Sequence, residues 1–432
     1  MVHGQTSPNT ATLHSPLSRG HWVGNMLPRS RRYLWIPALA ACLASAGSSQ
    51  GLTEKEALQL LRSSPYSRQL RAEAEIVRAG AQRQKIHPNP AVSATLEGAG
   101  RTDFLVLEQA LAVNGRRSLL FAAAASEARA ADSSADHVLR QVEAALRRSF
   151  YRLVYLQALR QLEQAHAVGM EELVRILRER EAAGEGSKFD RLQGEREVVE
   201  QETELAQVEV MMGEARAHLA RYFGDAVDPD GLTADGSLAP GFELPALRDA
   251  LAAGLAARSD YRVEAERLEQ LRLEGEAAHR LRIPNPVISG GLKRADVGGQ
   301  TVTGPVIGVS VDLPLFRKGR VEREVAAAKT IRARERRSAL ERQILAEVRS
   351  SHETLRLRRE IARDYRSRAE PQVQELAEIA EVAYTEGELG ILDLLETHRV
   401  AHQTRLQQLE LDTAAKLAEV EFDRSVAKEL LP

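Results

Sequence analysis

Apolar residues in this chain change period in a fixed order, and the order occurs twice. From Thr53 to about Lys85 they fall at helical spacing, starting with Ala57, Leu58, Leu60 and Leu61. Thr53-Glu54-Lys55-Glu56 opens that helix as a capping box, the threonine hydroxyl taking an early N–H while Glu56 reaches back. His87-Pro88-Asn89-Pro90 stops it, because a proline ring removes a donor and pushes the preceding residue out of the helical region. Between Ala91 and Leu111 the period drops to two. Val92, Ala94 and Leu96 alternate with Ser93, Thr95 and Glu97, residues 98–103 supply a turn, and a second run begins at Phe104. After Gly115-Arg116, helical spacing runs from Ser118 to Ala183 with Gly169 as its weak point. Within it Leu146, Phe150, Leu153, Leu156 and Leu159 keep the three/four spacing of a packed, coiled-coil-like helix.

Ile283-Pro284-Asn285-Pro286 starts the same plan again. Val287 to Lys293 and Val306 to Leu313 read as strands around a longer Gly298-Gly299 turn, and Gly319-Arg320 precedes a helical run to about Glu386 interrupted at Pro371. Each long run ends in a matching turn, Gly184-Glu185-Gly186-Ser187-Lys188-Phe189-Asp190 and Gly387-Glu388-Leu389-Gly390-Ile391-Leu392-Asp393. Gly184 and Gly387 suit the left-handed backbone that closes a helix. Ser187 and Gly390 each stand three residues before an acid, Asp190 and Asp393, the relation of an N-cap to its third residue. The copies are offset by 196 residues at Pro-Asn-Pro, 204 at Gly-Arg and 203 at the turn, so the second hairpin is about eight residues longer. The organisation expected is a signal region at 1–46, repeats at 47–223 and 244–432, and a loop-like linker at 224–243.

Lengths turn this pattern into an architecture. Each long run of about 66 residues reaches about 100 Å at helical rise. The segments 53–86 and 188–222 are about half as long, so the two stacked end to end would line one long helix, and 246–282 with 391–428 would line the other. One end of such a bundle carries both hairpins and the opposite end both Gly…Asp turns. Composition agrees: aromatics are only 4% of the chain, thin for several globular cores, and a net charge of −2 gives no reason to expect nucleic acid.

The lone cysteine, Cys42, changes the picture at the N-terminus. Arg29 to Arg32 form a basic region, residues 33–46 a short apolar run with small residues at its end, and residues 1–25 are unlike any leader, so the export leader is read from Met26. Two cuts fit: after Ala44-Ser45-Ala46, or before Cys42, since Leu39-Ala40-Ala41-Cys42 resembles a bacterial lipoprotein box that would lipidate the cysteine. On either reading the mature chain has no disulfide framework and no thiolate metal site.

An exported protein with alternating strands of roughly 8 to 11 residues has strands long enough to cross a bilayer when tilted. A small soluble hairpin has the same local pattern. Four strands cannot close a membrane barrel, and open edges in lipid leave backbone groups unsatisfied, so membrane strands would require several chains to share one barrel. Other chemistry is sparse. His398 and His402, four apart on one helix, have a spacing that can hold a metal, but with Arg399 and Arg405 around them they read as an exposed helix face; His87 reads as a helix end. No phosphate loop, nucleophile elbow or catalytic carboxylate pair stands out, so no enzyme and no cofactor is expected.

In order, and twice over, these motifs resemble the outer-membrane efflux protein family, the TolC-like channels, and its cobalt-zinc-cadmium efflux branch. The resemblance covers about residues 52 to 430 and rests on Leu52-Thr53-x-x-Glu56-Ala57-Leu58, Pro88-Asn89-Pro90, Gly115-Arg116-Arg117, Ala183-Gly184-x-x-Ser187-x-x-Asp190, Pro284-Asn285-Pro286, Pro314-Leu315-Phe316, Gly319-Arg320 and Leu392-Asp393-Leu394-Leu395. It departs at Gly390, where a Ser or Thr often caps. The resemblance implies a mainly α fold with a membrane β-barrel portion, made of two tandem repeats of helix, β-hairpin, very long helix and helix. It implies a homotrimer with an α-barrel and a shared 12-stranded β-barrel in the outer membrane, the helices extending into the periplasm. It also implies docking of a periplasmic adaptor, or membrane fusion protein, at the turns Gly184 to Asp190 and Gly387 to Asp393. The partner pump would be a proton-driven inner-membrane protein of the resistance-nodulation-division type, and the cargo heavy-metal cations or small toxic compounds. A periplasmic coiled-coil scaffold and a duct for type I protein secretion are the alternatives.

Overall fold

The computed structural model describes residues 51–98, 101–316 and 318–428. The leader, with Cys42 and both candidate cleavage sites, lies outside the described residues.

The first strand, β1 (Leu52–Thr53), leads directly into α1 (Glu54–Ser63) and α2 (Pro65–Ala81). The expected capping box is present: Glu56 N–H donates to Thr53 Oγ1 at 3.3 Å, and Thr53 N–H to Glu56 Oε2 at 2.9 Å. The single helix expected over 53–85 is instead two. Ser64 takes an extended backbone, caps α2 by accepting from Ser67 N–H, and places Pro65 in the first turn, where its missing donor costs nothing. A short 3-10 turn, Gln82–Lys85, leads to the hairpin β2 (Ala91–Glu97) and β3 (Thr102–Ala110).

Next, α3 (Arg116–Ala183) runs 68 residues without interruption at Gly169, and α4 (Lys188–Ala220) returns along it. The linker is not wholly a loop. It carries β4 (Ala234–Asp235), which pairs in parallel with β1 and so fastens the start of the described chain to the middle of the molecule. In the second half α5 (Leu247–Ala257) and α6 (Ser259–His279) replace the one helix expected. Arg258 makes the break: extended and buried, its guanidinium is paired with Asp260 at 2.6 Å and Glu347 at 2.8 Å.

β5 (Pro286–Val297) and β6 (Gln300–Val311) are longer than expected, 12 residues each, and the longer turn expected between them is a tight one. Gly298 and Gly299 both have positive φ, +60° and +81°, so the extra residues of this hairpin extend its strands instead of its loop. α7 (Arg320–Thr385) stays helical through Pro371, and α8 (Ile391–Ser425) closes the chain of described elements.

The stripe read from the sequence is the core of the middle. Leu146, Phe150, Leu153, Leu156 and Leu159 are all buried and meet Leu58 and Leu61 of α1, Met212 and Leu219 of α4, and Val420 of α8. Among the described residues no helix is long and apolar enough to cross a membrane.

Candidate functional site

At one end the two hairpins join in a single antiparallel sheet of order β2-β3-β5-β6, so β2 and β6 are open edges. Register assigns every side chain to a face. Val92, Leu105, Leu107, Ile288, Leu292, Ile307 and Val309 project to one side, linked through the pairs Val92↔Leu107, Leu105↔Leu292 and Ile288↔Val309. All are exposed, Ile307 at 86% and Val309 at 69%. The other face mixes Ser93, Thr95, Glu108, Ser289, Lys293 and Ser310 with Phe104, Val106, Val287 and Val302. Strands of 12 residues are about 40 Å long, or about 28 Å high when tilted by 45°, close to the apolar band of a membrane barrel.

The sheet is pinned to the helices across the two halves. Asn285 Oδ1 accepts from Val113 N–H at 3.1 Å and Asn114 N–H at 3.3 Å, while Asn114 donates from Nδ2 to the Ile283 carbonyl at 3.0 Å and accepts from Arg116 N–H. Asn114 was not singled out in the sequence, although an Asn before a Gly at a helix start is the available signal. The Pro-Asn-Pro motifs do different work: Asn89 and Pro90 are exposed, and the Pro88 carbonyl accepts from Gln109 Nε2 at 3.1 Å. His87 is more than a helix end, since its Nδ1 lies 2.8 Å from Arg117 Nη1. Gly115 and Gly319 both take φ of +70° ahead of their long helices, and Arg320 pairs with Glu324 at 2.8 Å.

At the other end the two Gly…Asp turns lie together. Met170, Leu173 and Leu177 of α3, Ala380 and Tyr384 of α7, and Ile391 and Leu394 of α8 form one buried cluster beneath them. The turns have the same backbone closure. Gly184, at φ +78°, is followed by Glu185 N–H donating to Arg180 O at 2.9 Å; Gly387, at φ +79°, by Glu388 N–H donating to Ala383 O at 2.8 Å.

Their helix starts divide one device between them. Ser187 Oγ accepts from Phe189 N–H at 3.0 Å and Asp190 N–H at 3.2 Å, whereas Gly390, lacking a side chain, has its own N–H accepted by Asp393 Oδ2 at 3.3 Å. Each turn is half of a capping box. The Asp190 carboxylate makes no hydrogen bond to a described residue. Gly186 packs tightly, since a Cβ there would lie 3.1 Å from Glu181 N. Beside the turns Phe189 and Leu392 are exposed at 61% and 55%, apolar tips that sequence reasoning passed over because each sits inside a helical pattern.

His398 and His402 are not on an exposed face. His402 Nε2 is 3.1 Å from Glu163 Oε2, and its ring stacks on His166 of α3 with centroids 4.1 Å apart and planes 10° apart. Gln201 of α4 donates to the same Glu163 carboxylate. Stacked rings do not converge their nitrogen lone pairs on one point, and among the described residues no group of three or more His, Cys, Asp or Glu is placed to hold a metal.

A body of very long helices with an apolar open sheet at one end and paired turns at the other defines the class. The chain has the fold of the TolC-like outer-membrane efflux channels, and the resemblance read from its sequence is borne out. It is similar to the cobalt-zinc-cadmium resistance protein CzcC of Cupriavidus metallidurans, 24% identical over 370 residues, covering 83% of this chain and 86% of that protein. Among solved structures it matches the outer-membrane channel OprN with a TM-score of 0.70 at 19% identity, covering 88% of this chain and 91% of the other. CusC, whose structures concern folding and transmembrane channel formation, matches with a TM-score of 0.70 at 13% identity, covering 89% and 95%. No protein-family model matches the chain.

Proposed function

We propose that this protein is the outer-membrane channel of a tripartite efflux system, a passive duct that carries heavy-metal cations or small toxic compounds from a pump and adaptor to the outside. The observation that carries the reading is the four-stranded sheet with one exposed apolar face and two unpaired edges. Apolar surface of that extent marks a membrane or partner surface, and unpaired edges in lipid would leave backbone donors and acceptors unsatisfied. Three chains joined β6 to β2 would close 12 strands and satisfy both edges. Exposed apolar residues along the helices, such as Val199 and Val210 on α4 and Ile361 and Ile379 on α7, suit the same trimer, in which neighbours cover one another's flanks. The two halves, 47–223 and 244–432, act as repeats that each supply one hairpin and one helical hairpin.

The turn end is where a periplasmic adaptor docks, and an inner-membrane pump of the resistance-nodulation-division type drives the cargo. Gly184, Gly186, Ser187, Asp190, Gly387, Gly390 and Asp393 shape that end, with Phe189 and Leu392 as apolar contacts. Metal cargo follows from the likeness to CzcC.

Deleting the gene is expected to sensitise cells to cobalt, zinc or cadmium, and the wild-type gene to restore resistance. Bulky residues at both Gly184 and Gly387 should abolish restoration while the trimer still assembles, because a Cβ at either position meets no neighbour within 4 Å and the cost stays local. Unchanged sensitivity in the deletion strain, to metals and to drugs alike, would sink the efflux reading.

A further inference from the structure

The histidine pair sits about 17 Å along α8 from the turn end, where α3, α4 and α8 meet. Its surroundings mix donors and charges of both signs. Glu163 comes from α3, and Gln201 and Glu204 from α4; His398 and Arg405 lie on α8 itself, with Glu381 of α7 3.9 Å from His398. No arginine or lysine bridges the α3–α8 seam at this level among the contacts of these histidines. The stack itself and the His402–Glu163 contact are the polar links.

We propose that the His166–His402 stack is a proton-operated latch between α3 and α8, closed when the rings are neutral and released when acid charges both. Two flat neutral imidazoles 4.1 Å apart attract; two imidazolium rings in the same place are like charges with little water between them. One proton is tolerated, because the Glu163 carboxylate faces His402. A second proton has no such partner, since His166 makes no hydrogen bond to a described residue.

Burial and the two neighbouring histidines hold His166 down at about 4, and burial also holds His402 below the ordinary imidazole range despite Glu163. The direction of the effect follows. A base whose pKa is depressed in the folded state contributes its full stabilisation above the ordinary value near 6.5, and loses it as pH falls towards the folded value. The seam therefore weakens between about pH 6.5 and about pH 4. Because α3 and α8 belong to the two helical hairpins that share the cluster beneath the turns, release loosens one hairpin against the other above a cluster that still joins them. The latch goes beyond the duct reading and does not need it.

The test is hydrogen exchange of the detergent-solubilised full-length protein, corrected for the intrinsic pH dependence of exchange. Protection of α8 residues 391–410 is expected to fall at least tenfold between pH 7.5 and pH 4.5, and at least threefold less than that in His166→Phe, which keeps a flat stacked ring that takes no proton and leaves only His402 to titrate. Should His166→Phe fail to fold, His166→Asn serves, with the same expectation of a reduced pH response. Wild-type protection that does not change, or a variant that loses protection as the wild type does, overturns the proposal. Conductance in planar bilayers, recorded alongside, reports on the duct alone: absence of any pore there would count against the channel reading whatever the exchange shows.

Discussion

Arg147→Met is expected to destabilise the protein by about 3–5 kcal/mol, seen as a lowered midpoint in thermal circular dichroism of the solubilised chain. Arg147 is buried at the middle of α3, where it pairs with Glu54 at the start of α1 and, at 3.0 Å, with Asp423 near the end of α8. Tyr151 donates to the same Glu54 carboxylate. One guanidinium thus ties together the first and last helices and the longest one. Removing it leaves the Asp423 carboxylate, itself buried, with Lys428 at 3.4 Å as its only charged partner among the described residues. Burial already pushes the Asp423 carboxyl up even with Arg147 beside it, so the orphaned acid will take a proton and limit the loss. The double variant Arg147→Met with Asp423→Asn should therefore recover a large part of the deficit, since breaking a buried pair costs more than replacing it. A midpoint unchanged in Arg147→Met would mean that the network contributes nothing to the fold.

Gly319→Ala and Gly115→Ala look equivalent by sequence position and by backbone, both at φ +70°, yet they are expected to differ sharply. At Gly115 a Cβ meets nothing within 4 Å, so alanine costs only the left-handed backbone, about 1–2 kcal/mol. At Gly319 the added atom would sit on the Ala278 carbonyl oxygen and 3.2 Å from Leu281 Cβ, at the end of α6. Backbone must move there, adding roughly 1–3 kcal/mol and displacing the start of α7 from the sheet it follows. On the proposed trimer, Gly115→Ala should retain an SDS-resistant oligomer band on an unheated gel, and Gly319→Ala should lose it. Equal behaviour would show that the two halves do not differ in how the long helix is seated.

The sequence made the long elements visible because their signals are local and repeated. More than sixty residues of helical spacing, weakened only at Gly169 in one run and interrupted only at Pro371 in the other, leave little choice for α3 or α7, and the Gly…Ser…Asp turn states its own cap chemistry. What it hid depends on partners far along the chain. The break before Pro65 was open to reading, since Ser-Pro is a boundary signal, but the helical spacing of Leu58, Leu60 and Leu61 before it, resumed at Leu70, masked it. The break at Arg258 was not, because it exists to bring a guanidinium to Glu347, 89 residues on. Likewise β4 is a two-residue strand whose only signal is its partner, β1. His402 looked exposed because its sequence neighbours are charged; Glu163 and His166 reach it from another helix. The sheet's apolar face was foreseeable from alternation alone, whereas the tight turn between β5 and β6 was not, since a longer insertion reads equally well as loop or as strand.

The Glu54–Arg147 contact also fixes where the first helix stands along the longest one. Along α3 it lies 31 residues from Arg116, about 46 Å from the foot of the sheet. The two parts it joins, α1 and the middle of α3, therefore stand well away from the strands, and loosening the contact would release α1 while the sheet keeps its own attachment through Asn114 and Asn285.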